Sequence, residues 1–155
     1  WARGAALGVK LALPDRQVVA LLGDGGFMFG GDQSVWTAKR YQIPILIVVQ
    51  NNGSYDAERN RIWGLGAQQS KAGKDMTCFI GAPDIQYTKL AEAFGIEGER
   101  VTDPNDLSQA LKRGSQANRD GEPYLLDVVI ARTGRGAEST WYPQYSLAKE
   151  RKRKI

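Results

Sequence analysis

The residues best suited to chemistry stand at the ends of two apolar runs. VVALLGDGG, residues 18–26, sets Asp24 among Gly23, Gly25 and Gly26, and ILIVVQNN, residues 45–52, ends on the amides of Asn51 and Asn52. One carboxylate, one or two amide oxygens and nearby backbone carbonyls make a hard, all-oxygen set, the kind that holds Mg²⁺ between a protein and phosphates. The glycines let backbone N–H groups approach an anion with no Cβ in the way. Asp24 alone would repel that anion, and a divalent cation between the two resolves the conflict. Taken singly, GDGG and NNG are ordinary turn sequences. Their pairing, each directly after an apolar β-branched run, is what points to a ligand.

These groups can meet only if the chain brings the two runs together. Each run reads as a strand buried on both faces, and DQSVWTAKRY, residues 32–41, reads as the helix between them, with Asp32 as its N-cap. Parallel neighbours then put both strand ends on one edge of the sheet. A helix over residues 1–13 precedes them, with Ala2, Gly4, Ala5, Ala6 and Gly8 on its close-packed side and Pro14 ending it. Two of Phe27, Met28 and Phe29 are expected in the core. GSYDAERNRIW predicts a short helix from about Tyr55, followed by a loop over residues 64–84. Residues 85–95 form a helix ended by Gly95, and Glu99–Thr102 a short strand. Asp103 caps a further helix with Pro104 in its first turn, and residues 124–131 are the last buried strand. The fold class is α/β, an open, mostly parallel sheet with helices on both faces. Its ligand site belongs beyond the C-terminal strand ends.

Composition narrows the function classes. The 155 residues, 42% apolar, can bury one core, read as a domain over residues 1–131 with an irregular aromatic and basic tail over 132–155. Trp141, Tyr142 and Tyr145 in that tail either dock on another domain or fold over a site entrance. Histidine is absent, which removes Ser-His-Asp and Cys-His catalysis and His-ligated zinc from this chain. Cys78 is the single cysteine, so no internal disulfide forms and a reducing cytoplasm is the expected setting. No apolar run approaches the ~20 residues a membrane span requires. The net charge of +4 equals that of KERKRK at residues 149–154, a solvated terminus, so no nucleic-acid or membrane partner is expected. A dinucleotide fingerprint would need glycine where the chain has Met28.

GDG, twenty-five intervening residues, then NN resembles the cofactor motif of thiamine diphosphate dependent enzymes. LALPDRQVVALLGDGGF and SVWTAKRYQIPILIVVQNNGSY extend the likeness, which covers residues 4 to 131. The chain is most similar to the C-terminal, diphosphate-binding domain of the benzoylformate decarboxylase and acetolactate synthase superfamily; WTA, QIP and NNGSY resemble benzoylformate decarboxylase in particular. Beginning at Trp1, it reads as an N-terminally truncated piece of a longer polypeptide. The resemblance implies the thiamine diphosphate-binding fold, with thiamine diphosphate and Mg²⁺ as cofactors. It gives Asp24, Asn52 and the carbonyl of Ser54 to the metal, and Gly23, Asp24, Gly25, Gly26, Asn52, Ser54 and Tyr55 to the cofactor. Asn51 is left to hold the loop. No side chain of this chain is catalytic on this reading, because the cofactor's carbanion attacks a 2-keto acid, carbon dioxide leaves and an enamine stores the electrons. The activating glutamate comes in this family from a pyrimidine-binding domain, usually of a neighbouring subunit. Neither Glu58, Glu92 nor Glu138 fills that role here, so the isolated chain is expected to be inactive and to work in a homodimer or homotetramer. The alternatives are acetolactate synthase-type carboligation and a cofactor-free assembly domain. Relatives commonly have serine where this chain has Gly26 and glycine where it has Asp56, so pocket details beyond Tyr55 do not carry over.

Overall fold

Ile45, Leu46, Ile47 and Val49 are all but excluded from solvent, as expected of a strand covered on both faces. The structure, a computed structural model, describes residues 1–72, 78–81 and 83–131, with the backbone alone for residues 69 and 70. Its elements are α1 (Ala2–Ala12), β1 (Val19–Gly23), α2 (Asp24–Phe29), α3 (Gln33–Arg40), β2 (Leu46–Asn51), α4 (Asp56–Gly64), α5 (Gln68–Lys71), α6 (Tyr87–Ala93), β3 (Glu97–Val101), α7 (Leu107–Arg119) and β4 (Tyr124–Val129). They fall into two compact units, one joining Trp1–Asn51 to Gln86–Ile130 and one built on Asn52–Ile85.

The first unit holds the sheet. Among the described residues it has four strands in the order β1-β2-β4-β3, every pair parallel. The path steps one way from β1 through β2 to β3, then back to β4. With right-handed crossovers, that reversal places α7 on the face opposite α3 and α6. On α7's face Leu46, Val48, Val101, Ala110 and Leu126 form one buried cluster. Gly114 lets α7 come close, since a Cβ there would stand 2.6 Å from Leu46 Cδ1 and 3.1 Å from Tyr124 Cδ1.

On the other face the buried rings of Phe27 and Tyr87 meet edge to face, centroids 5.1 Å apart. Arg3 of α1, itself buried, donates from Nη2 to the carbonyls of Phe27 and Gly31 at 2.6 Å each, and its guanidinium lies 4.0 Å over the Phe27 ring. Burial lowers the Arg3 pKa, while neighbouring Asp32 works to raise it.

Several expectations are corrected here. The inner side of α1 is Arg3, Ala6 and Leu7, whereas Gly4 and Gly8 face open space. Asp32 precedes α3 in a helical conformation and makes no side-chain cap; its carboxylate instead lies 3.9 Å from Arg3 Nη1. Only Phe27 of its trio is buried, because α2 is helical and three successive residues cannot share one helix face; Phe29 is 88% exposed. Asp103 caps a single 3₁₀ turn, Pro104–Asp106, accepting the Asn105 N–H at 2.8 Å, and α7 follows at Leu107 with no side-chain cap from Asp106. The aromatic tail lies outside the described residues. Among the described residues no helix is long and apolar enough to cross a membrane.

Candidate functional site

β1 and β2 pair in parallel as far as Gly23↔Gln50, so Asp24 and Asn51 are the next residues of neighbouring strand ends. The sequence reading made Gly23–Gly26 a turn, but the strand passes directly into α2 at Asp24. Gly23 occupies the N-cap position in extended conformation, and with no side chain it leaves the first turn of α2 uncapped. Asp24 is 2% exposed, and its Oδ1 accepts the Gly25 N–H at 2.8 Å.

The glycines here are not serving backbone strain, since Gly23, Gly25 and Gly26 all lack positive φ. An added Cβ at Gly26 would meet nothing within 4 Å, and one at Gly23 only the Gln50 carbonyl at 4.0 Å. No described neighbour therefore requires glycine at either position. Together with the buried carboxylate between them, this leaves a cradle suited to a charged group that approaches the backbone closely.

The residues after β2 belong to the second unit and form their own tether. Asn52 Oδ1 accepts the Ser54 N–H at 3.0 Å, an Asx turn around Gly53, whose φ of 65° favours glycine. Gly53 O accepts the Ile80 N–H at 2.8 Å, and Ser54 bridges Phe79 in antiparallel fashion. Ser54 Oγ donates to Cys78 O at 3.2 Å, and the Tyr55 N–H donates to the same carbonyl at 2.8 Å. Residues 52–55 are thereby fixed against 78–80. An amide oxygen has two lone pairs, so Asn52 Oδ1 keeps one for a cation. Asp56 follows as the first residue of α4, buried, with Arg59 Nη1 at 4.0 Å.

Two polar residues went unrecognised in the sequence. Arg3 holds the turn that follows α2. Asp127, fully buried in β4, accepts the Asn51 amide Nδ2 at 2.8 Å and has Arg100 Nε 3.6 Å from its other oxygen. The Asn51 side chain is thus bonded to β4. A charge inside the apolar run YLLDVV was the available signal for Asp127; Arg3, in a helix of small residues, had none. Glu58 and Glu92 are exposed on helices, and Glu138 lies outside the described residues, so no described glutamate in a buried setting emerges as an activating acid.

The cleft of about 550 Å³ beside α7 is a different place. It opens at the N-terminal ends of β3 and β4, lined by Lys39, Glu97, Arg113, Glu122 and Tyr124 among others. Its two cations are already paired, Lys39 with Glu122 at 2.6 Å and Arg113 with Glu99 at 2.6 Å. Tyr124 donates to Glu99 at 3.2 Å, and burial first, then the Glu99 charge, pushes its pKa up to about 12. Sites in open parallel sheets form at the other edge.

Residues 1–128 match the family described as "Thiamine pyrophosphate enzyme, C-terminal TPP binding domain". A probable acetolactate synthase large subunit of Methanococcus aeolicus is 37% identical over 129 residues, 81% of this chain and 19% of that protein. The benzoylformate decarboxylase of Pseudomonas aeruginosa is 31% identical over 124 residues, 80% of this chain and 21% of its own length. The thiamine diphosphate-dependent 4-hydroxybenzoylformate decarboxylase of Rhodococcus jostii RHA1 superposes with a TM-score of 0.67 at 32% identity, covering 86% of this chain and 23% of that one. The chain spans about a fifth of the length of the curated relatives it matches.

Proposed function

Because the chain belongs to the C-terminal TPP-binding domains of the thiamine pyrophosphate enzymes, we propose that it grips Mg²⁺ and the diphosphate end of thiamine diphosphate with the residues that follow β1 and β2. Asp24, Asn52 Oδ1 and the Ser54 carbonyl hold the metal on this reading. Gly23, Gly25 and Gly26 admit the diphosphate to the backbone, and Ser54 and Tyr55 stand beside it on this reading, with their N–H groups engaged by Asn52 Oδ1 and the Cys78 carbonyl. The observation that carries the reading is the buried Asp24 just beyond the end of β1, with glycine at positions 23 and 26 where no described neighbour requires it. A hard oxygen set of this kind suits Mg²⁺ bridging to phosphate.

When bound, thiamine diphosphate supplies the carbon nucleophile and electron sink for cleavage next to a 2-keto group. The residues of this chain bind, orient and shield; none moves a proton at the reacting carbon. We infer that the intact enzyme decarboxylates a 2-keto acid, supported by the benzoylformate decarboxylase among its relatives. Acetolactate synthase-type carboligation is the second reading, favoured by the acetolactate synthase relative. In either case the remaining half of the site is assigned to a pyrimidine-binding domain, from a neighbouring subunit of a cytoplasmic homodimer or homotetramer. A cofactor-free assembly role would leave the Asp24, Asn52 and glycine set without a purpose.

Asp24→Ala in the intact protein tests the assignment by calorimetric titration of thiamine diphosphate with and without Mg²⁺. Mg²⁺-dependent binding is expected to disappear while the fold is retained. Near-normal affinity would refute it.

A further inference from the structure

A carboxylate in the middle of a buried sheet calls for an explanation that packing does not provide. Asp127 has no solvent exposure, and its strand neighbours Leu125 and Leu126 are as deeply buried. Replacing buried ion pairs by apolar residues of similar volume is often neutral or stabilising, so stability is a weak reason to keep one here. The geometry offers another reason. Asp127 shares one rung of the sheet with Val49 on β2 and Arg100 on β3. Asn51, two residues beyond Val49, points to the same face. It donates its amide to Asp127 at 2.8 Å, while its carbonyl accepts the Ile130 N–H of the same neighbouring chain segment at 2.8 Å. Side chain and backbone of Asn51 are therefore both fastened to the β4 segment. Arg100 Nε lies 3.6 Å from the other carboxylate oxygen, within ion-pair range.

We propose that Asp127 is a positioning residue for metal binding: through Asn51 it fixes the end of β2, and with it the point from which Asn52 leaves the sheet. The inference rests on the reading of Asn52 and Asp24 as metal ligands. Its logic is that of outer-shell partners at metal sites, which orient a ligand without touching the ion. Here the orientation travels through one peptide bond, from Asn51 to Asn52. A buried carboxylate with one oxygen for an amide and one for a guanidinium can set that angle. A leucine of similar size would fill the space and remove the acceptor of the Asn51 amide.

The test is Mg²⁺ titration of the intact protein at fixed thiamine diphosphate, with melting of the cofactor-free protein alongside. Asp127→Leu is expected to raise the Mg²⁺ concentration at half-saturation by roughly 10- to 100-fold, as loss of an outer-shell partner does, without lowering the melting temperature. Asp127→Asn keeps an acceptor for Asn51 and should stay within about threefold of the wild type, well short of the outer-shell loss. Asn51→Ala should reproduce the leucine phenotype and carries the test if Asp127→Leu does not fold. The double variant should then be no worse than Asn51→Ala alone, because the two residues act as one unit. Wild-type Mg²⁺ dependence in Asp127→Leu or Asn51→Ala would overturn the proposal. So would an asparagine variant as impaired as the leucine one. Asp24→Ala and Asn52→Ala run in parallel separate the two levels. If they lose Mg²⁺ while Asp127→Leu does not, only the positioning role fails. If they keep Mg²⁺, the ligand assignment fails and the positioning role falls with it.

Discussion

Arg3→Met removes the donors that tie α1 to the turn after α2 while keeping an unbranched stem in place. Two carbonyls, Phe27 O and Gly31 O, lose a donor at 2.6 Å. Hydrogen bonds to a charged group contribute about 1.5–3 kcal/mol each, and the guanidinium over Phe27 adds roughly 0.5–2 kcal/mol. Asp32, 37% exposed and 3.9 Å away, is screened and adds about 0–1 kcal/mol. Against these stands the desolvation that lowers the Arg3 pKa. Burial is the larger influence there, so we take a value just below the low end of the sum, about 3 kcal/mol. That corresponds to roughly a hundredfold rise in the local opening constant of residues 24–31, at about 1.4 kcal/mol per decade. Amide hydrogen exchange of the intact protein reads it directly, with Gly25 and Gly26 as reporters, and thiamine diphosphate affinity should fall with it. Arg3→Lys should recover part of the protection, because an ammonium can reach one carbonyl but lacks the planar fork. Exchange within a few-fold of the wild type in Arg3→Met would refute the reasoning and make the buried guanidinium incidental.

Gly98→Ala should destabilise the intact protein by about 1–3 kcal/mol in chemical denaturation, since its Cβ would stand 2.6 Å from the Leu125 carbonyl of the paired strand. Gly8→Ala in α1, with nothing within 4 Å, should instead gain about 1 kcal/mol of helix propensity; equal effects of the two substitutions would refute the packing argument. Tyr124, with its pKa raised to about 12, contributes stability that is fully present below its unfolded value near 10 and is lost as pH rises through about 12. The stability difference between wild type and Tyr124→Phe should therefore shrink only across that alkaline window. Glu99 has the opposite sign: the Arg113 hydrogen bond lowers its pKa, so its contribution is present above 4.5 and lost as pH falls through the lowered value, and Glu99→Gln should flatten that acid limb.

The fold was legible wherever hydrophobic period and punctuation agreed. β2 and β4 are apolar runs broken only by Gln50, Asn51 and Asp127, and Asp103-Pro104 gave both a cap and a first turn. The paired motif was legible too, because two strand ends in parallel register must neighbour each other, and Gly23↔Gln50 is that register. What escaped was decided by tertiary partners. GDGG looks like a turn locally, yet a helix begins at Asp24, and no glycine there needs a positive φ. Asp32 looked like a cap, but Arg3 reaches it from α1, a helix distant in the sequence. The directions in which Met28 and Phe29 face follow from α2 being a helix, which periodicity over so short a segment could not reveal. The choice between decarboxylation and carboligation is illegible for another reason: on the proposed reading this chain grips the diphosphate end of the cofactor and supplies no group at the reacting carbon.

The distribution of buried polar groups in the first unit makes a further point. Asp24, Asn51 and Asp127 belong to the C-terminal halves of strands or the residues just beyond them, and Arg3 serves the turn after α2, while Asn118, also buried, sits near the end of α7 and donates to the Glu122 carbonyl. The opposite halves of β2 and β4 carry Leu46, Ile47, Leu125 and Leu126, an apolar core with no such groups. Burying a polar group costs stability unless it is paired, and a charge costs more. A fold selected for stability alone would extend the apolar pattern to the strand ends. The proposed ligand role accounts for that departure, and it separates two kinds of substitution. Arg3→Met removes a clamp and should lower both stability and cofactor affinity. Asp24→Ala removes a buried charge and should abolish Mg²⁺-dependent binding while the cofactor-free protein melts no earlier than the wild type. If Asp24→Ala instead unfolded the protein, the carboxylate would be a structural element, and the strand-end polarity would have to be explained by folding.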